Sequence, residues 1–359
     1  MTANPNAGVT PNCSAGDRPG NSNIRVSIIV PCRNERDYIL PCLDNLLGQV
    51  GVDGEFEIIV AVGMSDDGTR ELVSRVAVRD QRVLLLDNPG RTVSRGLNSA
   101  IRRSRGEFVV RADAHTEYAP DYVRACLSEL QRTGAWNVGG PARTRSRSYV
   151  QRANAAAYQS FFSVGGARFH DPDFEGWVDT VTYGCWRRQT LIDLGLFDED
   201  LVRNQDDEFN LRTVAAGGSI WQSPSIRSWY YPRDSIKKVF RQYFQYGYWK
   251  YWVIQKHGRA ASLRQLVPIT ALVTGVSLAL LSVFVVQART LLALLLGAYG
   301  VTSILYSAGA AIKAREAALA IVMPVVFAAY HVGYALGFAK GMIAFHWRRV
   351  SVHDSGLSR

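Results

Sequence analysis

From residue 267 onward the chain almost stops carrying charge. Val267 to Gln287 and Thr290 to Ile312 contain no charged residue, and in Ala317 to Ala339 His331 is the one residue that can carry a positive charge. Each run matches the roughly 20 apolar residues that a helix needs to cross a bilayer. Lipid tolerates only structures whose backbone polar groups bond internally, and for separate apolar runs that means helices. Three consecutive soluble core helices with no polar face would be the alternative, and surface helices of soluble domains carry one. The sequence therefore predicts a transmembrane region of about three helices over residues 267–345, followed by a basic tail, 346–359. Three spans would leave that tail on the far side, whereas His346-Trp347-Arg348-Arg349 favours the cytoplasmic side, so one apolar segment is expected to be re-entrant or to lie along the interface.

The 266 residues that precede these runs are enough for one large water-facing domain and a connector. Residues 1–23 are rich in Asn, Gly, Pro and Ser and lack an apolar centre, so they read as a disordered lead rather than a signal or transit peptide. The domain is accordingly expected on the cytoplasmic face of the inner (cell) membrane. Five cysteines, with no Cys-x-x-Cys pair, argue against disulfides or a zinc knuckle. The net charge of +10 is not spread as a nucleic-acid binder's would be: no lysine occurs before Lys237, and the lysines then sit beside the apolar runs. No nucleic-acid partner is expected.

Ile24 to Val30 reads as a strand that Pro31 ends, because proline has no N–H for a ladder. Leu40 to Leu47 has helical spacing, Phe56 to Val62 is a second strand, and Ser65-Asp66-Asp67-Gly68-Thr69 turns into a helix over 70–78. Val83 to Leu86 is a third strand and Val93 to Arg103 a further helix. This alternation means a parallel sheet wrapped by helices. Phe108-Val109-Val110 is a further buried strand, and just past it come Asp113 and His115, an oxygen and a nitrogen two residues apart where such sheets bind ligands. They are a candidate site for a divalent metal carrying a diphosphate, although Asp113 would equally suit the cap of the helix that begins near Pro120. A helix over 149–162 ending at Gly165-Gly166 follows, and the arginines before it, Arg143, Arg145 and Arg147, read as a solvated basic loop.

Val26-Ser27-Ile28-Ile29-Val30-Pro31 with Asn34-Glu35, Glu57-Ile58-Ile59-Val60 with Ser65-x-Asp67-Gly68-Thr69, Gly96-x-Asn98 and Asp113 together resemble the family 2 inverting glycosyltransferases of the GT-A fold. The resemblance covers about residues 24–250. Asp113-Ala114-His115, Asn204 to Arg212 and Arg241-Gln242-Tyr243-Phe244 are similar to the succinoglycan-type, ExoA-like branch, which extends lipid-linked sugars and carries C-terminal membrane helices. It implies a GT-A domain, a Rossmann-like mixed sheet with flanking helices, over 24–234 and an amphipathic interface helix region over 235–266. It also implies a nucleotide-sugar donor, with UDP-sugars preferred, held by Pro31, Asn34, Glu35, Asp67, Asn98 and Asp113. Asp113 with His115 would bind Mg2+ or Mn2+. Val62 stands where an acid usually reads the base, so Asp66 or Asp67 is the candidate to take over that contact.

Phe197-Asp198-Glu199 leads to Asn204-Gln205-Asp206-Asp207-Glu208, which resembles the family's Glu-Asp-x-Glu signature with Gln205 in the first place. Inverting transfer needs a base opposite the departing diphosphate to take the acceptor hydroxyl's proton. Asp206 is the expected base, with Asp207 the alternative and Glu208 retained beside them; acids at a helix start also suit its dipole without any catalytic role. Trp186 is a candidate to stack on the acceptor sugar, or to pack. Arg241, Gln242 and Tyr246 occupy the acceptor-side and interface positions where related synthases carry Gln-x-x-Arg-Trp, and Gln245 and Tyr246 in place of Arg and Trp suit single-sugar addition rather than polymer threading. The interleaved bases and aromatics of 235–255 also suit a bilayer surface. The expected function is membrane-anchored transfer of one sugar to a lipid-linked (polyprenyl) acceptor in cell-surface or extracellular polysaccharide biosynthesis. A polyprenyl-phosphate sugar synthase and a non-catalytic scaffold of the same fold are the alternatives.

Overall fold

A computed structural model describes residues 24–52 and 56–347. The expected disordered lead, and the tail from residue 348 on, lie outside the described residues. β1 (Val26–Cys32), α1 (Arg36–Leu47), β2 (Phe56–Val62), α2 (Thr69–Arg79), β3 (Val83–Asp87), α3 (Val93–Arg103) and β4 (Phe108–Arg111) alternate as the sequence predicts. β1 lies between β2 and β4, β3 pairs with β2, and all four run parallel. Every residue of β1 and β2 is buried, as in a central strand covered on both faces. On one face Leu97, Ala100 and Ile101 of α3 pack against Ile29, Ile59 and Ala61.

Pro31 does not end the first strand. β1 stays paired with β2 through Pro31 and Cys32, because Cys32 turns its carbonyl to Gly63 N on the β2 side while Ile29 turns its own to Ala112 N on the β4 side. Residues two apart face the same neighbour, so the N–H missing from Pro31 falls on the β4 side, where pairing has already stopped at Ile29 and Arg111.

The second half of the domain is less regular. It contains β5 (Thr116–Tyr118), α4 (Tyr122–Thr133), β6 (Asn137–Gly140), β7 (Arg143–Thr144), α5 (Tyr149–Tyr158), α6 (Phe161–Val164), β8 (Gly176–Trp177), β9 (Thr182–Arg187), α7 (Arg188–Asp193), α8 (Gln205–Ala215), β10 (Ile220–Gln222) and β11 (Ser228–Tyr230). The large sheet has the order β3-β2-β1-β4-β9-β6-β10-β8, mixed because β9 runs antiparallel to β4 and β6. A small sheet, β5-β11-β7, stands beside it. The single helix expected over 149–162 is two: Ser160 is extended, and the Ser163 hydroxyl bonds the carbonyls of Ala157 and Ser160 in place of a continuous ladder.

α9 (Ile236–His257), α10 (Val267–Leu281), α11 (Val286–Ala314) and α12 (Leu319–Gly341) complete the chain. The last three lie within three helical stretches long and apolar enough to cross a membrane. α12 runs parallel to α9 and occupies one of its faces. Small residues let the backbones touch: a Cβ on Gly337 would lie 1.9 Å from the Phe244 carbonyl oxygen, and one on Gly341 2.5 Å from that of Tyr248.

Candidate active site

Four parallel strands deliver their C-terminal ends to one edge, and the loops there are tied to each other. Asn34, with φ of 55°, receives the Asp66 N–H on its side chain at 3.2 Å and donates its own N–H to Ser65 Oγ at 3.0 Å. Glu35 N–H donates to Thr69 Oγ1 at 2.9 Å, and Arg36 N–H to Asp67 Oδ2 at 3.0 Å. Burial opposes charge on Asp67, but hydrogen bonds from Thr69 and the Arg36 backbone outweigh it and hold the carboxyl below its usual range. Asp67 is therefore turned into the loop. A cleft of about 390 Å³ opens beside it, and Asp66, from the same turn, lines it together with Arg33 and Arg91. Asp87, at the end of β3, lines it as well, a residue that the sequence reading did not single out. Val62 is fully buried.

At the end of β4, Asp113 donates its N–H to Tyr118 Oη at 2.6 Å. His115 turns Nδ1 toward Glu35 Oε1 at 3.4 Å and packs beside Tyr38 and Tyr230. Among the described residues no three His, Cys, Asp or Glu side chains gather closely enough to enclose a metal. Asp113 faces Arg111, whereas His115 faces Glu35.

Arg111 joins the two halves of the site. Its side chain is buried, with Nη2 3.4 Å from Asp113 Oδ1 and Nη1 3.9 Å from Asp206 Oδ2. Burial alone would lower its pKa; the two carboxylates outweigh that and keep the guanidinium charged. Asp113 and Asp206, 93 positions apart in the chain, therefore meet at one cation. The signal in the sequence was a lone charge closing an apolar strand, Phe108-Val109-Val110-Arg111.

The two adjacent acids of α8 have different surroundings. Asp207 is bonded to Lys250 Nζ, a side chain only 9% exposed, whereas the Asp206 side chain is 46% exposed and accepts the Asp207 N–H at 2.9 Å. Burial pulls the Lys250 ammonium down to about 8. Lys250 was also missed, hidden in a helix that reads as membrane-facing. Glu208 has a different setting again. It is fully buried, bonded to both Arg212 Nε and Nη2 near 2.9 Å, and met by Lys256 at 3.1 Å and His257 at 2.9 Å. Burial would raise its pKa, and Arg212 and Lys256 outweigh that to hold it below the usual range. It fastens α8 to α9 and does not line the cleft.

Two further expectations are corrected by burial. Trp186 packs edge-on to Phe197 and Phe209 at 2% exposure, so no sugar can reach its face. Asn98 is equally buried and clamps the loop before α8, accepting from Phe197 N–H and donating to Phe197 O and Glu199 Oε1. Pro31 remains in the strand, with Gly96 of α3 against its ring. On α9, Arg241 is exposed, Gln242 Nε2 donates to Tyr246 Oη at 2.8 Å, and the Tyr246 carbonyl accepts from Asn204 Nδ2 at 2.9 Å. Tyr246 and its neighbour Gln245, which accepts from Arg203 Nε at 3.2 Å, thus hold the start of α8.

Comparison with known proteins decides the family. The description "Glycosyl transferase family 2" matches residues 27–192. The succinoglycan biosynthesis protein ExoA of Rhizobium meliloti is 32% identical over 67% of this chain and 74% of its own. The chain belongs to glycosyltransferase family 2. Another family relative, the dolichyl N-acetyl-alpha-D-glucosaminyl phosphate 3-beta-D-2,3-diacetamido-2,3-dideoxy-beta-D-glucuronosyltransferase of Methanococcus voltae, is 28% identical over 89% of this chain and 97% of its own. The solved mannosyltransferase PcManGT of Pyrobaculum calidifontis, in complex with GDP-Man and Mn2+, superimposes with a TM-score of 0.59 at 21% identity over 89% of each chain. That likeness shows the GT-A fold, which the mixed sheet and flanking helices share.

Proposed function

We propose that this family 2 glycosyltransferase transfers one sugar, with inversion, from a nucleotide diphosphate donor to the hydroxyl of a lipid-linked acceptor, while its apolar helices hold it in the cell membrane with the catalytic domain cytoplasmic. The observation that carries this reading is the convergence of Asp113 and Asp206 on buried Arg111 at the mouth of the strand ends. The nucleotide lies over the ends of β1 to β3, with Asp66 and Asp87 facing the base and the aromatic edge near His115 facing the diphosphate. Asp206, the exposed acid, accepts the acceptor hydroxyl's proton as the oxygen attacks the anomeric carbon from the side opposite the diphosphate. Asp207, neutralised by Lys250, keeps the helix start in place. Arg111 fixes the distance between the two acids and offsets their mutual repulsion.

Asp113 and His115 are the residues that would hold a divalent cation: one carboxylate and one imidazole would leave the remaining positions to ligand oxygens and water, and Mn2+ and Mg2+ both suit that set. When bound it would offset charge on the leaving diphosphate. The lipid-linked acceptor is supported by α9, which carries Lys250 and Tyr246 into the site while packing against an apolar helix. The R. meliloti relative places such chemistry in polysaccharide biosynthesis, and the M. voltae relative acts on a dolichyl phosphate-linked sugar.

The test is nucleotide release by detergent-purified protein from UDP-, GDP- and dTDP-sugars, UDP-sugars first, with Mg2+ or Mn2+ and a lipid extract. Lipid-dependent release from one donor is expected, abolished in Asp206→Asn. Mass spectrometry of the lipid then distinguishes sugar added to a lipid-linked glycan from sugar added directly to polyprenyl phosphate. A folded protein that binds no donor would be a scaffold, and the reading would fail.

A further inference from the structure

α6 is a point at which the catalytic domain meets the apolar helices. Phe162 packs against Tyr299 and Tyr306 of α11 and against Phe327 of α12, and the two ring nitrogens of His331 on α12 meet Tyr299 Oη and the Phe162 carbonyl, each at 3.0 Å. α11, α12 and the corner between α5 and α6 are therefore one packed unit. At one end of that corner Arg152 meets Glu316, just past α11, at 2.9 Å. Further along α5 and α6, and further back along α11, Phe162 stacks on Tyr306 with ring centroids 5.5 Å apart. The two stretches thus run antiparallel, and between those contacts lies a groove of about 740 Å³, the size of a small-molecule site.

One wall of the groove is the end of α5 with α6, including Ala156 and Phe161; the other is a stripe of α11 in which Leu305, Gly309 and Lys313 recur at helical spacing. Its character changes along its length. The end beside the Arg152–Glu316 pair carries the Lys313 ammonium, which has no carboxylate partner among the described residues, Glu316 being taken by Arg152. The other end opens between exposed Phe161 and Leu305 onto the bare apolar face of α11. Midway, level with Gly309 in the antiparallel register, Ser160 Oγ is buried and has no hydrogen-bond partner among the described residues. A buried hydroxyl is costly to leave unmatched, so it marks a place where a ligand oxygen belongs.

We infer that this groove holds one anionic glycerophospholipid of the leaflet on the catalytic side, its phosphate on Lys313, an ester carbonyl accepting from Ser160 Oγ, and an acyl chain leaving between Phe161 and Leu305. This inference rests on the membrane anchoring proposed above. Cation, hydroxyl and apolar exit follow one another along the groove in the order of phosphate, ester and chain in such a lipid. A polyprenyl phosphate has the first and the last but no ester oxygen for Ser160. The lipid would join α11 to the catalytic domain over the stretch where the two walls do not touch.

The test is native mass spectrometry of the full chain in mild detergent, offered phosphatidylglycerol, phosphatidylethanolamine or a polyprenyl phosphate in turn. The wild type should retain one phosphatidylglycerol, preferred over phosphatidylethanolamine about fivefold, the worth of one lysine beside an anionic lipid. Lys313→Gln should lose that preference. Gly309→Leu should lose retention itself without a fall in melting temperature, because a Cβ on Gly309 meets nothing within 4 Å and leucine suits a helix better than glycine. Equal retention by Gly309→Leu, or no headgroup preference in the wild type, would overturn the inference. So would uptake of the polyprenyl phosphate in place of phosphatidylglycerol, blocked by Gly309→Leu, which would give the groove to an acceptor. Nucleotide release by the same preparations reports separately on the proposed reaction: a wild type that releases nucleotide but retains no phosphatidylglycerol fails here alone. A protein that stays dispersed once detergent is removed would overturn the anchoring and this inference with it.

Discussion

The strand-end half of the site and the helix-built half are made in different ways. On the donor side, Asn34, Glu35, Asp67 and Thr69 are joined by short hydrogen bonds between two neighbouring βα loops, within some 35 residues of chain. On the acceptor side, at the start of α8, Asp207 and Glu208 are met by Lys250 and Lys256 from more than 40 residues away on α9, Asp206 by Arg111 from β4, and the Asn204 amide donates to the Tyr246 carbonyl of α9. The donor half is thus a local property of the sheet. The acceptor half exists only when the C-terminal helices have docked, and its geometry depends on ion pairs that water would weaken.

That contrast can be broken most directly at Asp206, the proposed base. Asp206→Asn should lower the transfer rate about a hundred- to ten-thousand-fold while leaving nucleotide-sugar affinity, measured by calorimetry, unchanged. Equal losses of rate and donor binding would mean that the two halves are not separable. Next comes the anchor: Glu208→Gln leaves Arg212, Lys256 and His257 around a neutral group and should cost about 3 kcal/mol or more, read as a lowered melting temperature in detergent. Because the Glu208 carboxyl is held below its ordinary value, its contribution is present above pH 4.5 and is lost as the pH falls through the lowered folded value. Acid melting of the wild type should therefore approach that of the variant. A smaller cost, about 1–3 kcal/mol, is expected for Asn98→Ala, which frees the loop before α8 without touching the donor cleft; donor binding should persist.

The smallest effect concerns Lys250. Its folded pKa of about 8 lies below the ordinary 10.5, so between those values the unfolded chain binds the extra proton and stability rises with pH. The slope is at most about 1 kcal/mol per pH unit, and it should be absent from Lys250→Met when melting is compared at pH 8 and pH 10. A Lys250→Met profile parallel to the wild type would remove Lys250 as the buried partner of Asp207.

The donor half was legible in the sequence because its signals are local: α3 spans Val93–Arg103 as its apolar spacing predicts, and β2 spans Phe56–Val62. Pro31 was misread for want of one fact, which neighbour its missing N–H would face, and that is set by where β4 stops. Asp206 and Glu208 share one motif, yet Asp206 is exposed and Glu208 is a buried anchor, because helical spacing does not say which cations will arrive from elsewhere. Trp186 and Asn98 were misjudged for the same reason: burial is a tertiary property, and Phe197 and Phe209 provide it. Arg111 and Lys250 were visible only as charges at positions where the pattern called for apolar residues.

The glycines of α12 have a consequence for the order in which this enzyme becomes active. A chain is made from its N-terminus, so the sheet and the donor cleft are complete while α9 still lacks a partner. The backbone contact at Gly337 and Gly341 forms only after the chain has been made through α12. Until then α9 is held against α8 by its own ion pairs and hydrogen bonds. Synthesis itself thus acts as an interlock: the strand-end loops are in place early, but α9, which braces the acids of α8, gains its own partner only when the last helices of the chain have been made.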